Sequence, residues 1–181
     1  MTVDVGMYMD QTNERRLSVH RKGEPPEVLI ASDASFSPGG GKSRTGVVIM
    51  INNMVVHWTT VRQSRSALSV CEAEIMAHKT GIQLGLCIKD LVKEATGELV
   101  TMKMEGDNTG ALTSIQNEMT TWRTRHYAGD ASWIRDTLEK EDVELLHRPG
   151  KELIADGLTK ILPRALLEQF RRRAVMRRRK G

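Results

Sequence analysis

Four carboxylates stand out by their surroundings. Asp33 breaks the apolar run Val28-Leu29-Ile30-Ala31-Ser32, and Glu74 falls on the apolar face of a long helical pattern. Asp107 follows the strand-like stretch Leu99 to Glu105 after one glycine, and Asp156 lies early in the last helical pattern. A lone buried carboxylate is costly. Several held together repel one another and raise their own pKa values unless cations share them. Mg²⁺ is the natural partner, a hard ion that prefers oxygen ligands and keeps several waters. Two such ions about 4 Å apart can clamp a phosphodiester, one activating the attacking water and the other stabilising the leaving oxygen. The chemistry implied is metal-dependent hydrolysis of a nucleic acid backbone.

Each acid also has a plainer reading. The helical pattern opens at Ser69 and runs to about Leu91, with Thr96-Gly97 ending it. At 100° per residue, Cys71, Glu74, Ile75, His78, Gly81, Ile82, Gly85 and Leu86 share one face. Glu74 could border that stripe and reach solvent, and His78 reads as a packed, hydrogen-bonded histidine. Glu72 projects about 200° away, on a flank with Lys79, Gln83 and Asp90. Asp107 or Asn108 could simply cap the next helix. Glu105 shares a strand side with Asp107, so it is either a further carboxylate of the group or an exposed strand residue.

The elements that would position these side chains follow in order. Residues 1–26 are polar, end in Gly23-Glu24-Pro25-Pro26, and read as an arm or linker. Strands are expected at Val28–Ser35, Thr45–Ile51 and Met54–Thr60, the last two joined by an Asn52-Asn53 turn, giving an antiparallel meander. Pro38-Gly39-Gly40-Gly41-Lys42-Ser43 suggests a phosphate-binding loop, but that motif needs glycine at position 36, which is Phe36, and a helix afterwards. A hairpin turn fits better. The long helix follows, then a strand at Leu99–Glu105, helices at Thr109–Asn117 and about His126–Glu139, and a strand at Val143–His147. A final helix is expected from near Glu152, with Asp156 in its first two turns. The order is βββαβααβα, without internal repeats. The fourth and fifth strands each follow helices, so both should run parallel to the first. The site should then lie beyond the carboxyl ends of those strands, where the four acids can converge.

Composition narrows the classes. A chain of 181 residues, 39% hydrophobic and 28% charged, suits one soluble domain with length left for tails. No apolar run reaches membrane-spanning length, and Met1-Thr2-Val3-Asp4 lacks the start of a signal peptide. Cys71 and Cys87 sit on one helix about 24 Å apart, too far to bridge, so a reducing, intracellular compartment is expected. Net charge is +4, but residues 164–181 hold eight Lys/Arg against one Glu, which leaves the remainder at −3. Such a basic tail suits a polyanion; a solvated helix end explains it equally well.

Six stretches in order resemble the ribonuclease H domain of copia-type LTR retrotransposon polyproteins. They are Ser32-Asp33-Ala34-Ser35, Ser43 to Met50 with Trp58 after it, Ala67 to Glu74, Asp107-Asn108, Arg123-Thr124-Arg125-His126, and Ile154 to Lys160 followed by Leu162-Pro163. The resemblance spans about residues 27–163. It implies a ribonuclease H-like α/β fold, with a five-stranded mixed sheet of three antiparallel and two parallel strands flanked by helices. It implies that Asp33, Glu74, Asp107 and Asp156 bind two Mg²⁺ ions, with Mn²⁺ as a substitute, and cut the RNA strand of an RNA/DNA hybrid. Recognition would rest on 2′-hydroxyls and backbone shape. Arg62, Arg65, Asn108, Arg123, Arg125 and His126 would bind substrate, Arg62, Arg65, Arg123 and Arg125 holding phosphates or else forming solvated surface. His147 would be an accessory histidine or a plain strand end. Residues 1–26 would be the connection from an upstream reverse transcriptase, a partner in the same polyprotein, and 164–181 a basic C-terminal helix or tail. The setting would be a cytoplasmic virus-like particle or the nucleus. Where family members carry a second histidine six residues after the first, this chain has Ser132. A catalytically inactive or domesticated binding module of the same fold is the alternative. A DNA-acting nuclease or transposase of the broad fold fits the order of the acids less well.

Overall fold

The computed structural model describes residues 15–17, 25–37, 41–117, 122, 124–173 and 176–178. The central sheet contains β1 (Glu27–Ser35), β2 (Arg44–Ile51), β3 (Met54–Arg62), β4 (Thr101–Gly106) and β5 (Val143–His147). Its spatial order is β3-β2-β1-β4-β5, with the meander antiparallel and β1, β4 and β5 mutually parallel. Asn52 and Asn53 both take positive φ, 48° and 64°, the backbone a two-residue hairpin needs. A strand follows Ser43, which removes the phosphate-loop reading. Residues 38–40 of the expected turn lie outside the described residues.

Alternation along β1 divides its side chains between two packed faces. Val28 and Ile30 join Val47, Ile49, Met102 and Met104 under the long helix α1 (Val70–Thr96), α2 (Thr109–Gln116) and α3 (Ala128–Lys140). Leu29 and Ala31 pack on the other face with Val48, Met50, Leu153, Ile154, Ala155 and Leu158. Such two-sided burial explains why β1 reads as an apolar run rather than an alternating one. Ser69 caps α1 by accepting the Glu72 N–H at 3.1 Å, and Gly97 closes it. Gly81 and Gly85 let α1 approach β1. A Cβ at Gly81 would lie 3.0 Å from Ile30 Cγ2, and one at Gly85 would run into the same side chain.

The C-terminal part departs from the single helix expected from Glu152. Residues 150–155 form turns, α4 is the one turn Asp156–Thr159, and α5 runs Arg164–Arg173. Lys160 is extended and Pro163 follows, so the chain cannot continue as helix there. The fourth strand begins at Thr101 rather than Leu99, which is 81% exposed. Of the expected arm, residues 15–17 pair antiparallel with 176–178, and its remainder up to Glu24 lies outside the described residues.

Candidate active site

The three parallel strands deliver two of the acids to one end of the sheet. Asp33 is near the C-terminal end of β1, and Asp107 follows β4 directly. Asp156 comes from the first position of α4, which packs across β1 and β2. One carboxylate oxygen from each of Asp33, Asp107 and Asp156 lies within 4.8 Å of the others. Gly150 is part of this approach, because a Cβ there would sit 2.6 Å from Asp107 Oδ2. Asn108, not Asp107, caps α2, its side chain accepting the Ala111 N–H at 2.9 Å. That leaves Asp107 free of the capping role.

Glu74 stands beside this trio on α1. Its side chain is buried, the Ala34 backbone N–H donates to it, and its Oε2 has no hydrogen-bond partner among the described residues. Burial first, then the charges of Asp33 and Asp107, push its pKa from 4.5 up to about 9. Asp33 is raised from 3.8 to about 6, chiefly by burial and then by Asp107 and Asp156, against a hydrogen bond from Thr159. Acids raised this far by burial and by one another are characteristic of a cation site. The donor set is all oxygen, partly buried, with one orphaned buried oxygen, and so fits a hard divalent ion.

Two side chains here were not anticipated as site residues. Thr159 donates to Asp33, and Lys160 reaches the Asp156 carboxylate. Contact with Asp156, aided by Asp33 and Asp107, raises the Lys160 pKa. The spacing was the available signal: residues three and four after Asp156 return to its side of a helix.

The other expected residues divide. His147 ends β5 beside the trio, its Nε2 3.2 Å from the Asp107 carbonyl oxygen. Arg62 and Arg125 are exposed. Arg65 bonds Asp130 at 2.6 Å, and His126 Nε2 lies 3.2 Å from Glu72. Arg123 lies outside the described residues. His78 is fully buried and hydrogen-bonded to Ser32 at 2.6 Å, as the packed reading expects. Glu105 is neither exposed nor in the carboxylate trio. It is buried and paired with Arg148, which anchors it in a pocket lined by Leu29, Met50 and Ile154. Glu72, placed on a flank by the helical projection, is also buried. Ser69-x-x-Glu72 has capping-box spacing, a signal that marks Glu72 as a backbone acceptor.

No family model matches the chain. Among curated proteins it is similar to the Transposon Ty1-DR5 and Ty1-H Gag-Pol polyproteins of Saccharomyces cerevisiae, at 28% identity over 168 residues. The alignments cover 90% of this chain and only about a tenth of those relatives. Among solved structures it is similar to LC11-RNase H1, isolated from compost by a metagenomic approach, with a TM-score of 0.58 and 17% identity. That match covers 77% of this chain and 98% of the other. The same enzyme in complex with an RNA/DNA hybrid matches with a TM-score of 0.51 and 14% identity, over 72% of this chain and 92% of that one.

Proposed function

Because this chain has the ribonuclease H-like fold and is a relative of LTR-retrotransposon Gag-Pol polyproteins, we propose that it is a metal-dependent endonuclease cutting the RNA strand of RNA/DNA hybrids. The observation that carries the reading is the acid group itself. Three carboxylates lie within mutual reach of an ion, and a fourth is buried beside them with an unpartnered oxygen. The fold neighbour with a bound RNA/DNA hybrid supports the substrate class. The motif run from Ser32 to Pro163 supports a copia-type element, acting during reverse transcription beside an upstream reverse transcriptase. A virus-like particle or the nucleus is the corresponding setting. No described helix is long and apolar enough to cross a membrane.

Asp33, Glu74, Asp107 and Asp156 would hold two Mg²⁺ ions, or Mn²⁺ in their place. When bound, such ions lower the pKa of an attacking water and neutralise charge on the phosphate. The protein's part is to hold the four acids ready. Thr159 fixes Asp33, and Ala34 orients Glu74. Asn108 relieves Asp107 of the helix cap, and Lys160 neutralises Asp156. Arg62 and Arg125 are available for phosphates, contacts that position substrate without reading sequence.

The test is cleavage of a labelled hybrid with Mg²⁺, Mn²⁺ or EDTA, beside single-stranded RNA and double-stranded DNA. Metal-dependent cutting confined to the hybrid's RNA strand, lost in Asp107→Asn, is expected. Cutting that survives Asp107→Asn would sink the assignment. Metal-independent binding without turnover would move the reading to a non-catalytic module.

A further inference from the structure

Two of the stretches singled out in the sequence meet in the fold away from the carboxylate trio. Ser69–Glu74 opens α1, and the turn at 124–127 leads into α3. Glu72 joins them. Its Oε2 accepts the Leu68 N–H at 2.7 Å and lies 3.2 Å from His126 Nε2, while Oε1 lies 3.6 Å from the Arg65 guanidinium. Arg65 also bonds Asp130, in the first turn of α3, at 2.6 Å. Lys79 of α1 reaches the same carboxylate at 2.7 Å. This run of charges fastens the 124–127 turn and the start of α3 to the N-terminal part of α1, where Glu74 sits.

Glu72 has the spacing of a capping-box glutamate, but it accepts the N–H of Leu68, one residue before the Ser69 cap, and so ties down the chain entering the helix. That tie leaves His126 and Arg65 unexplained. Both are drawn from separate segments onto one carboxylate that is only 4% exposed. A buried acid so paired fixes geometry, because losing either side strands the other. The segment it fixes is cationic on its outer side, where Arg125 is exposed next to His126.

We infer that Glu72 is a positioning residue, which through His126 and Arg65 sets the Arg125 turn relative to Glu74 so that Arg125 takes a backbone phosphate of the bound hybrid. The inference rests on the hybrid-cutting reading. It makes His126 and Arg65 braces and leaves Arg125 as the cation that faces nucleic acid.

Glu72→Gln separates the cap from the brace. Glutamine's one oxygen still accepts the Leu68 N–H, so the helix start survives, but its amide nitrogen then faces the Arg65 guanidinium and the charge that anchors the brace is gone. The KM for hybrid should rise about tenfold with kcat within about twofold, the pattern of lost binding rather than lost chemistry. Hydrogen exchange of the 124–127 amides should quicken in the same variant. Arg125→Gln should raise KM similarly, and the double variant little further, because coupled residues are not additive. His126→Gln still donates to Glu72 and should stay near wild type, while His126→Ala should not. Additive Glu72 and Arg125 effects, an unchanged KM in Glu72→Gln, or equal losses in the two His126 variants would overturn the inference. A wild-type protein that cuts no hybrid overturns the hydrolysis reading and this inference with it. A cutting wild type with an unperturbed Glu72→Gln overturns this inference alone.

Discussion

Glu72 and Glu74 are two residues apart on one helix, and each is 3% exposed. Glu72 has the Leu68 N–H, His126 and Arg65 around its two oxygens. Glu74 has one backbone N–H, an unpartnered oxygen, and two aspartates close enough to push its pKa up further. Burial therefore does not distinguish a structural acid from a candidate metal ligand; the company does. A satisfied acid holds segments together, whereas an unsatisfied acid among other acids keeps its oxygens open for a cation.

The contrast breaks most visibly on substitution. Glu74→Gln should lower metal-dependent kcat by about a thousandfold, the upper range for losing one preorganised charge contact. In EDTA between about pH 5 and 9 the same variant should melt at a higher temperature than wild type, because glutamine has no carboxyl to keep protonated, or ionise, beside Asp33 and Asp107. Glu72→Ala should do the reverse to stability. Stranding the Leu68 N–H, His126 and Arg65 costs about 1–3 kcal/mol, read as a lower urea midpoint. If both variants shift stability in the same direction, the distinction between the two acids is wrong.

Titration sharpens it. Glu74 and Asp33 hold their protons more tightly folded than unfolded, at about 9 against 4.5 and about 6 against 3.8. Their contribution to stability is complete below the unfolded values and is lost as pH rises through the folded ones. His78 has the opposite sign. Burial lowers it from 6.5 to about 4, so its contribution is complete above 6.5 and lost as pH falls toward 4. The two trends oppose each other between 4.5 and 6.5, and above that window Glu74 acts alone. Metal-free protein should then lose stability up to pH 9, by at most about 1.4 kcal/mol per pH unit. Urea melts in EDTA across that range measure the slope. Glu74→Gln should flatten it, and so should Mg²⁺, which binds the deprotonated acids. A flat curve for metal-free wild type would remove the electrostatic argument for Glu74.

Much of this was legible in the sequence, and the reasons differ by element. The meander, the long helix and both parallel strands announce themselves through apolar runs, Asn-Asn and Gly punctuation, and the buried stripe of α1. Asp33 and Glu74 are legible because an acid interrupts an apolar pattern. Glu72 and Glu105 were not, because their partners arrive from distant segments: His126 from 54 positions on for one and Arg148 from 43 on for the other. A helical projection sees only the helix's own faces, so an acid buried by another segment looks like an exposed flank. Pro163 marks the break between α4 and α5, but a single helical pattern drawn from Glu152 hides how Thr159 and Lys160 return toward the acids.

Lys160 provides the smallest effect and the finest cut. Its ammonium pairs with Asp156 four residues earlier, yet the side chain is 60% exposed. An exposed pair contributes little, about 0.2–1 kcal/mol. A divalent ion at the trio would draw on the same Asp156 carboxylate that Lys160 pairs with. Removing the lysine should therefore favour the ion by that margin, whereas removing a true ligand should abolish binding. Lys160→Met is expected to bind Mn²⁺ about two- to fivefold more tightly by calorimetry, with Asp156→Asn binding much more weakly. Unchanged affinity in Lys160→Met would mean the lysine shares the site with the ion rather than holding its place. Asp156 would then belong with Glu72, as an acid whose partner is permanent.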